Sequence, residues 1–145
     1  MLIGSFKYSI DSKNRISIPA KLRKNLEGDS SNKLYINRGV VKCIDIYPSS
    51  QWKELLNKLE QLNHFNPKDA MFLRMFLQKA SEETLDSQFR ILLPQKLIEH
   101  AEIEKEVFIL GAITKIEIWN PAVYEKYLQE QEESFEKVAE KVMSK

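Results

Sequence analysis

The chain has 145 residues, of which 43% are hydrophobic and 30% charged, and its formal net charge is +1. That length holds one domain or two small, intimate halves. No apolar run nears the ~18 residues of a membrane span, so no membrane-spanning helix is expected, and the overall charge points to no partner.

The distribution of charge says more. Residues 1–80 hold 14 Lys/Arg against 7 Asp/Glu, whereas residues 81–145 hold 8 against 14. A basic front half and an acidic rear half suggest that the front faces a polyanion. The single cysteine, Cys43, excludes an intrachain disulfide and fits a reducing compartment. Its place in a strand-like run makes it a small buried hydrophobe. Met1 to Lys7 lacks a basic region followed by a long apolar stretch, so no signal peptide is expected.

In chain order, Phe6, Tyr8 and Ile10 alternate with Lys7 and Ser9, the period of a half-buried strand. Asp11 to Asn14 reads as a hairpin tip. The Asp11 carboxylate can accept backbone N–H groups ahead of it, and Asn14 tolerates the left-handed conformation such tips require. Arg15 to Ile18 is the return strand, with Ile16 and Ile18 on one face and Arg15 and Ser17 on the other. Pro19 ends it. Ala20 to Leu26 is a short helix, Gly28 to Lys33 a polar loop, and Lys33–Arg38 and Val41–Tyr47 are strands. Ser49 or Ser50 is expected to cap a helix running to about Leu62. Asn66-Pro67 starts the next helix, with Asn as cap and Pro at the first position. Met71, Phe72, Leu73, Met75, Phe76 and Leu77 surround most of that helix, which points to a subunit interface through Met71, Phe72, Met75 and Phe76.

Asp11-Ser-Lys-Asn-Arg-Ile-Ser-Ile-Pro-Ala-Lys-Leu22 then recurs as Asp86-Ser-Gln-Phe-Arg-Ile-Leu-Leu-Pro-Gln-Lys-Leu97, matching at seven positions with an offset of 75. Cys43-Ile-Asp-Ile-Tyr-Pro48 recurs as Lys115-Ile-Glu-Ile-Trp-Asn120 at an offset of 72. The chain is therefore one βα unit used twice, with a division expected near residues 80 and 81. In the second unit the entering strand, Ser81–Leu85, is polar and the return strand, Ile91–Leu93, is apolar on both faces. The second unit is thus expected to be packed away and the first presented. After Asn120-Pro121 a single helix of roughly 23 residues, about 35 Å, is expected. Its seam of Tyr124, Leu128, Gln131, Phe135, Val138 and Val142 suits a partner helix.

The doubled Asp-x-x-x-Arg-Ile motif and the Ile-Glu-Ile-Trp-Asn-Pro run resemble the MraZ family, bacterial transcriptional regulators of the division and cell-wall gene cluster. The resemblance covers essentially the whole chain. It implies an α+β fold of two tandem AbrB-like swapped-hairpin β-barrel repeats, with helices between and after them. It also implies a ring-shaped, octamer-like homo-oligomer, binding to repeated promoter sites on double-stranded DNA, and a cytoplasmic, nucleoid-associated location. The family motif has Gly before the arginine. Asn14 departs from it mildly. Phe89 departs strongly, so either the second turn is remodelled or Phe89 packs on a neighbour that offsets the strain.

A two-stranded ribbon fits the major groove, and Arg can bond two acceptors of guanine at once. Arg15, Lys13 and Asn14 at the first tip are the candidate base readers. Lys7, Lys21, Arg23 and Lys24 are placed for phosphates. Arg15 has a second possible partner in Asp11, and the two roles can coexist. Asp11, Asp86 and Arg90 are read as turn-structuring. His64 and His100 stand alone, without a zinc-ligand pattern. The four glycines form no phosphate loop. Neither catalysis, nor a cofactor, nor a small-molecule substrate is indicated. The competing expectation is a ring-forming protein-interaction scaffold that binds no DNA.

Overall fold

The computed structural model describes residues 1–26 and 32–145; most of the polar loop expected from Gly28 lies outside them. The first repeat supplies β1 (Leu2–Ser9), β2 (Arg15–Ser17), α1 (Ala20–Arg23) with a 3₁₀ turn at Lys24–Leu26, β3 (Lys33–Arg38), β4 (Ile44–Pro48), α2 (Ser49–Glu60) and α3 (Pro67–Leu77). The second supplies β5 (Ser81–Thr84), β6 (Arg90–Leu92), α4 (Gln95–Ala101), β7 (Glu106–Ile113), β8 (Ile116–Trp119), α5 (Pro121–Gln129) and α6 (Phe135–Met143). The result is a mixed α+β chain of two tandem units.

The pairing corrects the expected β1–β2 hairpin. β1 runs antiparallel to β7, from Leu2 opposite Ile113 to Ser9 opposite Glu106. Its counterpart β5 pairs with β3. Each repeat thus lends its first strand to the other. β2 and β6 pair only with each other, with Ile16 opposite Ile91. The six-stranded sheet has the order β1-β7-β8-β4-β3-β5, and the β2/β6 ribbon is separate from it. The ribbon's inner face closes onto the sheet. Ile16, Ile18, Ile91 and Leu93 are all 0% exposed and lie in one cluster with Ile36, Ile46, Ile109 and Ile118 of the sheet. Each such side chain contributes roughly 1.5–3 kcal/mol by leaving water.

β4 and β8 meet at the pseudo-twofold axis, with Ile44 opposite Ile118 and Asp45 opposite Glu117. Asp45 and Glu117 are equivalent in the two repeats, so duplication sets two acids face to face. The position two residues earlier differs between repeats, Cys43 in one and Lys115 in the other. Lys115 Nζ lies 3.0 Å from Asp45 and 3.4 Å from Glu117. Burial pushes the Asp45 carboxyl above its ordinary value, against the pull of Lys115. Burial alone would lower the Lys115 ammonium, but Asp45 outweighs it and the net shift is upward. Cys43 is 1% exposed, as expected, and burial with the nearby Asp45 pushes its thiol up. Asn37, opposite Asp45 on β3, is 0% exposed, and neither polar atom of its amide has a hydrogen-bond partner among the described residues.

Several helix boundaries differ from expectation. Ser49 is the first residue of α2, whose cap position is Pro48, and no side chain caps it. Trp52 instead anchors α2, stacking on Tyr35 at 5.6 Å and packing against Tyr47 at 5.5 Å. β4 starts at Ile44 because Val41 to Cys43 form a tight turn, in which Gly39 and Cys43 N–H groups donate to Cys43 and Val41 carbonyls. Asn66 caps α3 with Pro67 at its first position, as read. That helix is not enclosed. Phe76 faces inward at 8% exposure, while Met71, Phe72 and Met75 remain exposed. The long terminal helix is two helices. Ser134 Oγ accepts from Lys137 N–H and caps α6, so the chain restarts there rather than continuing. The expected seam is split between α5 and α6. No described helix is long and apolar enough to cross a membrane.

Lys115→Ala leaves a buried carboxylate facing another acid. We expect a loss of about 3 kcal/mol, at the low end for breaking a buried pair, measured by denaturant unfolding. Because burial raises the Asp45 carboxyl, lowering the pH protonates it and the deficit shrinks. A second substitution, Asp45→Asn, is expected to recover most of the loss.

Candidate nucleic-acid interface

The two turns have one geometry. In the first, Asp11 Oδ1 accepts the Lys13 and Arg15 N–H groups at 2.9 and 2.8 Å, and Oδ2 accepts Arg15 Nε at 2.9 Å. In the second, Asp86 Oδ1 accepts Gln88 and Arg90 N–H at 2.8 and 2.9 Å, and Oδ2 accepts Arg90 Nε at 2.8 Å. Backbone bonds from Asp11 N–H to Arg15 O and from Asp86 N–H to Arg90 O close them at 2.9 and 3.0 Å. Each aspartate carboxyl is held below its ordinary value of 3.8, first by the arginine backbone N–H it accepts. Asp11, Asp86 and Arg90, expected to structure the turns, lie in these hydrogen bonds.

The turns are also locked to each other. Ile18 N–H donates to Phe89 O at 2.9 Å, and Leu93 N–H donates to Asn14 O at 2.8 Å. Each strand therefore holds the other repeat's turn. Strand alternation places Arg15, Ser17, Arg90 and Leu92 on the face of the ribbon opposite Ile16 and Ile91. Arg15 and Arg90 side chains are each 27% exposed, and Arg15 Nη1 lies 4.0 Å from Asp86. The second turn is not packed away in the chain. It stands beside the first, and Leu92 is 42% exposed.

Phe89 keeps the turn rather than remodelling it. Its φ is +58°, against +60° for Asn14. A left-handed conformation costs a non-glycine residue roughly 1–2 kcal/mol. The offset comes from Arg23, whose guanidinium sits 4.4 Å from the Phe89 ring centroid. Arg23 Nε also donates to Ile18 O at 2.9 Å. Arg23, read as a phosphate contact, is thus engaged in holding the second turn. Asn14 turns its amide to Gln95 at 3.3 Å. Lys7, Lys13, Lys21 and Lys24 are exposed, and no ion pair with another described residue holds them.

Other groups offer little chemistry. Cys43, Asp45 and Glu117 have ligand-type atoms within 4.8 Å of one another, but the Lys115 ammonium already supplies the positive charge there. His100 Nε2–H donates to Val41 O at 3.0 Å, and burial lowers its pKa. His64 is exposed.

Sequence reasoning missed the exposure of Arg90, Phe89 and Leu92. The signal was present in the repeat itself: equal spacing of Asp, Arg, Ile and Pro dictates equal turns. An apolar second strand suggests burial, but a three-residue strand buries only its middle residue when a ribbon has one open face.

Because both aspartates have lowered folded values, the stability they contribute is complete above pH 3.8 and is lost as pH falls through those values. Denaturant unfolding of the wild type should show this acid loss. The double variant Asp11→Asn/Asp86→Asn should be less stable near neutrality and flatter below pH 3.8.

A family model described as "MraZ protein, putative antitoxin-like" matches residues 1–75 and again 76–144. Proteins named Transcriptional regulator MraZ are similar along nearly the whole length. That of Natranaerobius thermophilus is 41% identical over 143 residues, covering 99% of this chain and 97% of the relative. That of Caldanaerobacter subterraneus subsp. tengcongensis is 42% identical, covering 97% and 95%. That of Cytophaga hutchinsonii is 32% identical, covering 97% and 93%. With the doubled turn, its cross-repeat lock and both matched halves in view, this chain belongs to the MraZ family.

Proposed function

We propose that the chain is a transcription regulator that binds double-stranded DNA through the paired turns. The observation that carries this is the ribbon face bearing Arg15 and Arg90 side by side, each oriented by its own aspartate. An arginine fixed by a carboxylate on Nε keeps its terminal nitrogens for acceptors on a base edge. Lys13, beside the first turn, and Lys7, Lys21 and Lys24 supply phosphate contacts that fix register. Asn14 shapes the first tip and takes a base-edge role there. Because the turns are interlocked, Arg90 joins Arg15 as a reader; this replaces the expectation that Arg90 only supports folding. The relatives' name, Transcriptional regulator MraZ, supports the reading.

The finer proposal follows the family resemblance. The target is a set of repeated sites in the promoter of the division and cell-wall gene cluster, and the protein acts at the nucleoid in the cytoplasm. The swapped sheet and ribbon form an AbrB-like barrel, with residues 1–80 and 81–145 as its two units. Copies assemble into a ring, octamer-like in size, so that several weak contacts sum over repeated sites. The exposed Met71, Phe72 and Met75 of α3 are the contact proposed for it. Phe76 contributes by supporting Phe72, against which it stacks at 5.4 Å. The scaffold reading shares this α3 face and differs only in lacking DNA.

Gel shifts on DNA upstream of the protein's own gene separate the two. Arg15→Ala and Arg90→Ala are each expected to lower affinity by roughly tenfold or more, as loss of a base contact does, with the oligomer intact. Lys13→Ala should lower the salt slope by about one unit. Unchanged binding in both arginine variants rejects the site.

Met75→Glu places a charge on the α3 face. Light scattering should show a smaller particle with unaltered circular dichroism; an unaltered particle removes α3 from the interface.

A further inference from the structure

The ribbon has twofold backbone symmetry but not twofold chemistry. Where the first repeat has Asn14 and Ser17, the second has Phe89 and Leu92. Both apolar residues are exposed, at 37% and 42%, Phe89 in the turn before Arg90 and Leu92 opposite Arg15. We propose that Phe89 is a specificity-determining contact that reads thymine methyl groups. This rests on the DNA-binding reading of the paired turns and adds to it which base one tip prefers.

Three observations carry the inference. Phe89 holds a positive φ of 58° with a bulky side chain, where Asn14 makes the same turn without it. Such a residue persists where its surroundings over-determine it, and strain of this kind clusters at functional positions. The ring is also pre-ordered. Arg23 lies over it at 4.4 Å and is itself tied to Ile18 O. A ring already fixed loses little freedom on binding. Finally, the chemistry is selective. An aromatic ring offers nothing to phosphate, but among the major-groove base edges only thymine presents a methyl group, and apolar side chains including Phe contact it. Exposed apolar side chains also suit protein contacts, but the place of Phe89 in the turn next to Arg90 favours DNA.

The test uses full-length protein and the DNA upstream of its gene, with each thymine replaced in turn by uracil, which lacks only the methyl. We expect the wild type to lose roughly tenfold at one or two positions, within the range for a single altered pair. Phe89→Asn, a residue this turn accepts at position 14, should bind the unmodified DNA more weakly and show no further loss at those positions. Wild type that binds no DNA rejects the underlying reading. Wild type that binds but is indifferent to every uracil, or a penalty that persists unchanged in Phe89→Asn, overturns the thymine contact alone. An altered particle mass in Phe89→Asn with the uracil penalties kept would assign the ring to a subunit contact instead. The wild-type arm does not depend on whether the variant folds.

Discussion

Two hydrogen bonds organise this molecule: Ile18 N–H to Phe89 O and Leu93 N–H to Asn14 O. Each ties the strand leaving one turn to the tip of the other. They are possible because β2 and β6 are too short to form sheets with their own neighbours and are apolar on one face. Ile16 and Ile91 meet over the core, and the remaining backbone groups are satisfied across the repeat. Buried backbone polar groups must find partners. Within each turn the aspartate and its neighbours supply partners, and the Ile18 and Leu93 N–H groups find theirs in the other copy.

Everything on the candidate interface follows from that constraint. The aspartates close the turns and aim the arginines, and the lock brings the arginines together. The sheet enforces the same exchange on a larger scale, since β1 completes the second repeat's sheet and β5 the first's. Duplication has one electrostatic consequence at the axis, where equivalent acids meet as Asp45 and Glu117. The repeats diverge at that point, and Lys115 in place of a second cysteine provides the missing cation. Symmetry is kept where the backbone needs it and broken at the axis where charge requires a difference.

The sequence made the turns and their aspartates legible, because an Asp, an Arg and a Pro at fixed offsets twice over have a local physical explanation. It also gave the α3 cap and the alternation of β1, both of which depend on near neighbours. What it hid was set by distant partners. Nothing in residues 5–18 says that β1 and β2 separate. A hairpin and a swapped exchange bury the same Ile16 and Ile18. Leu92 looked like core because it is apolar, yet alternation puts it outside once Ile91 is inside. The break at Ser134 was readable as a cap signal but was overridden by a heptad pattern that runs through it. Arg23 looked like a free cation because its aromatic partner lies 66 residues away in the sequence.

The proposed interface requires that the two turns form one surface and meet DNA together. Amide hydrogen exchange on the full chain, with and without the upstream DNA, tests it most directly. If the turns act together, residues 11–17 and 86–92 both slow when DNA is added, and to a similar degree. Protection confined to the first segment, or absent from both, would contradict it.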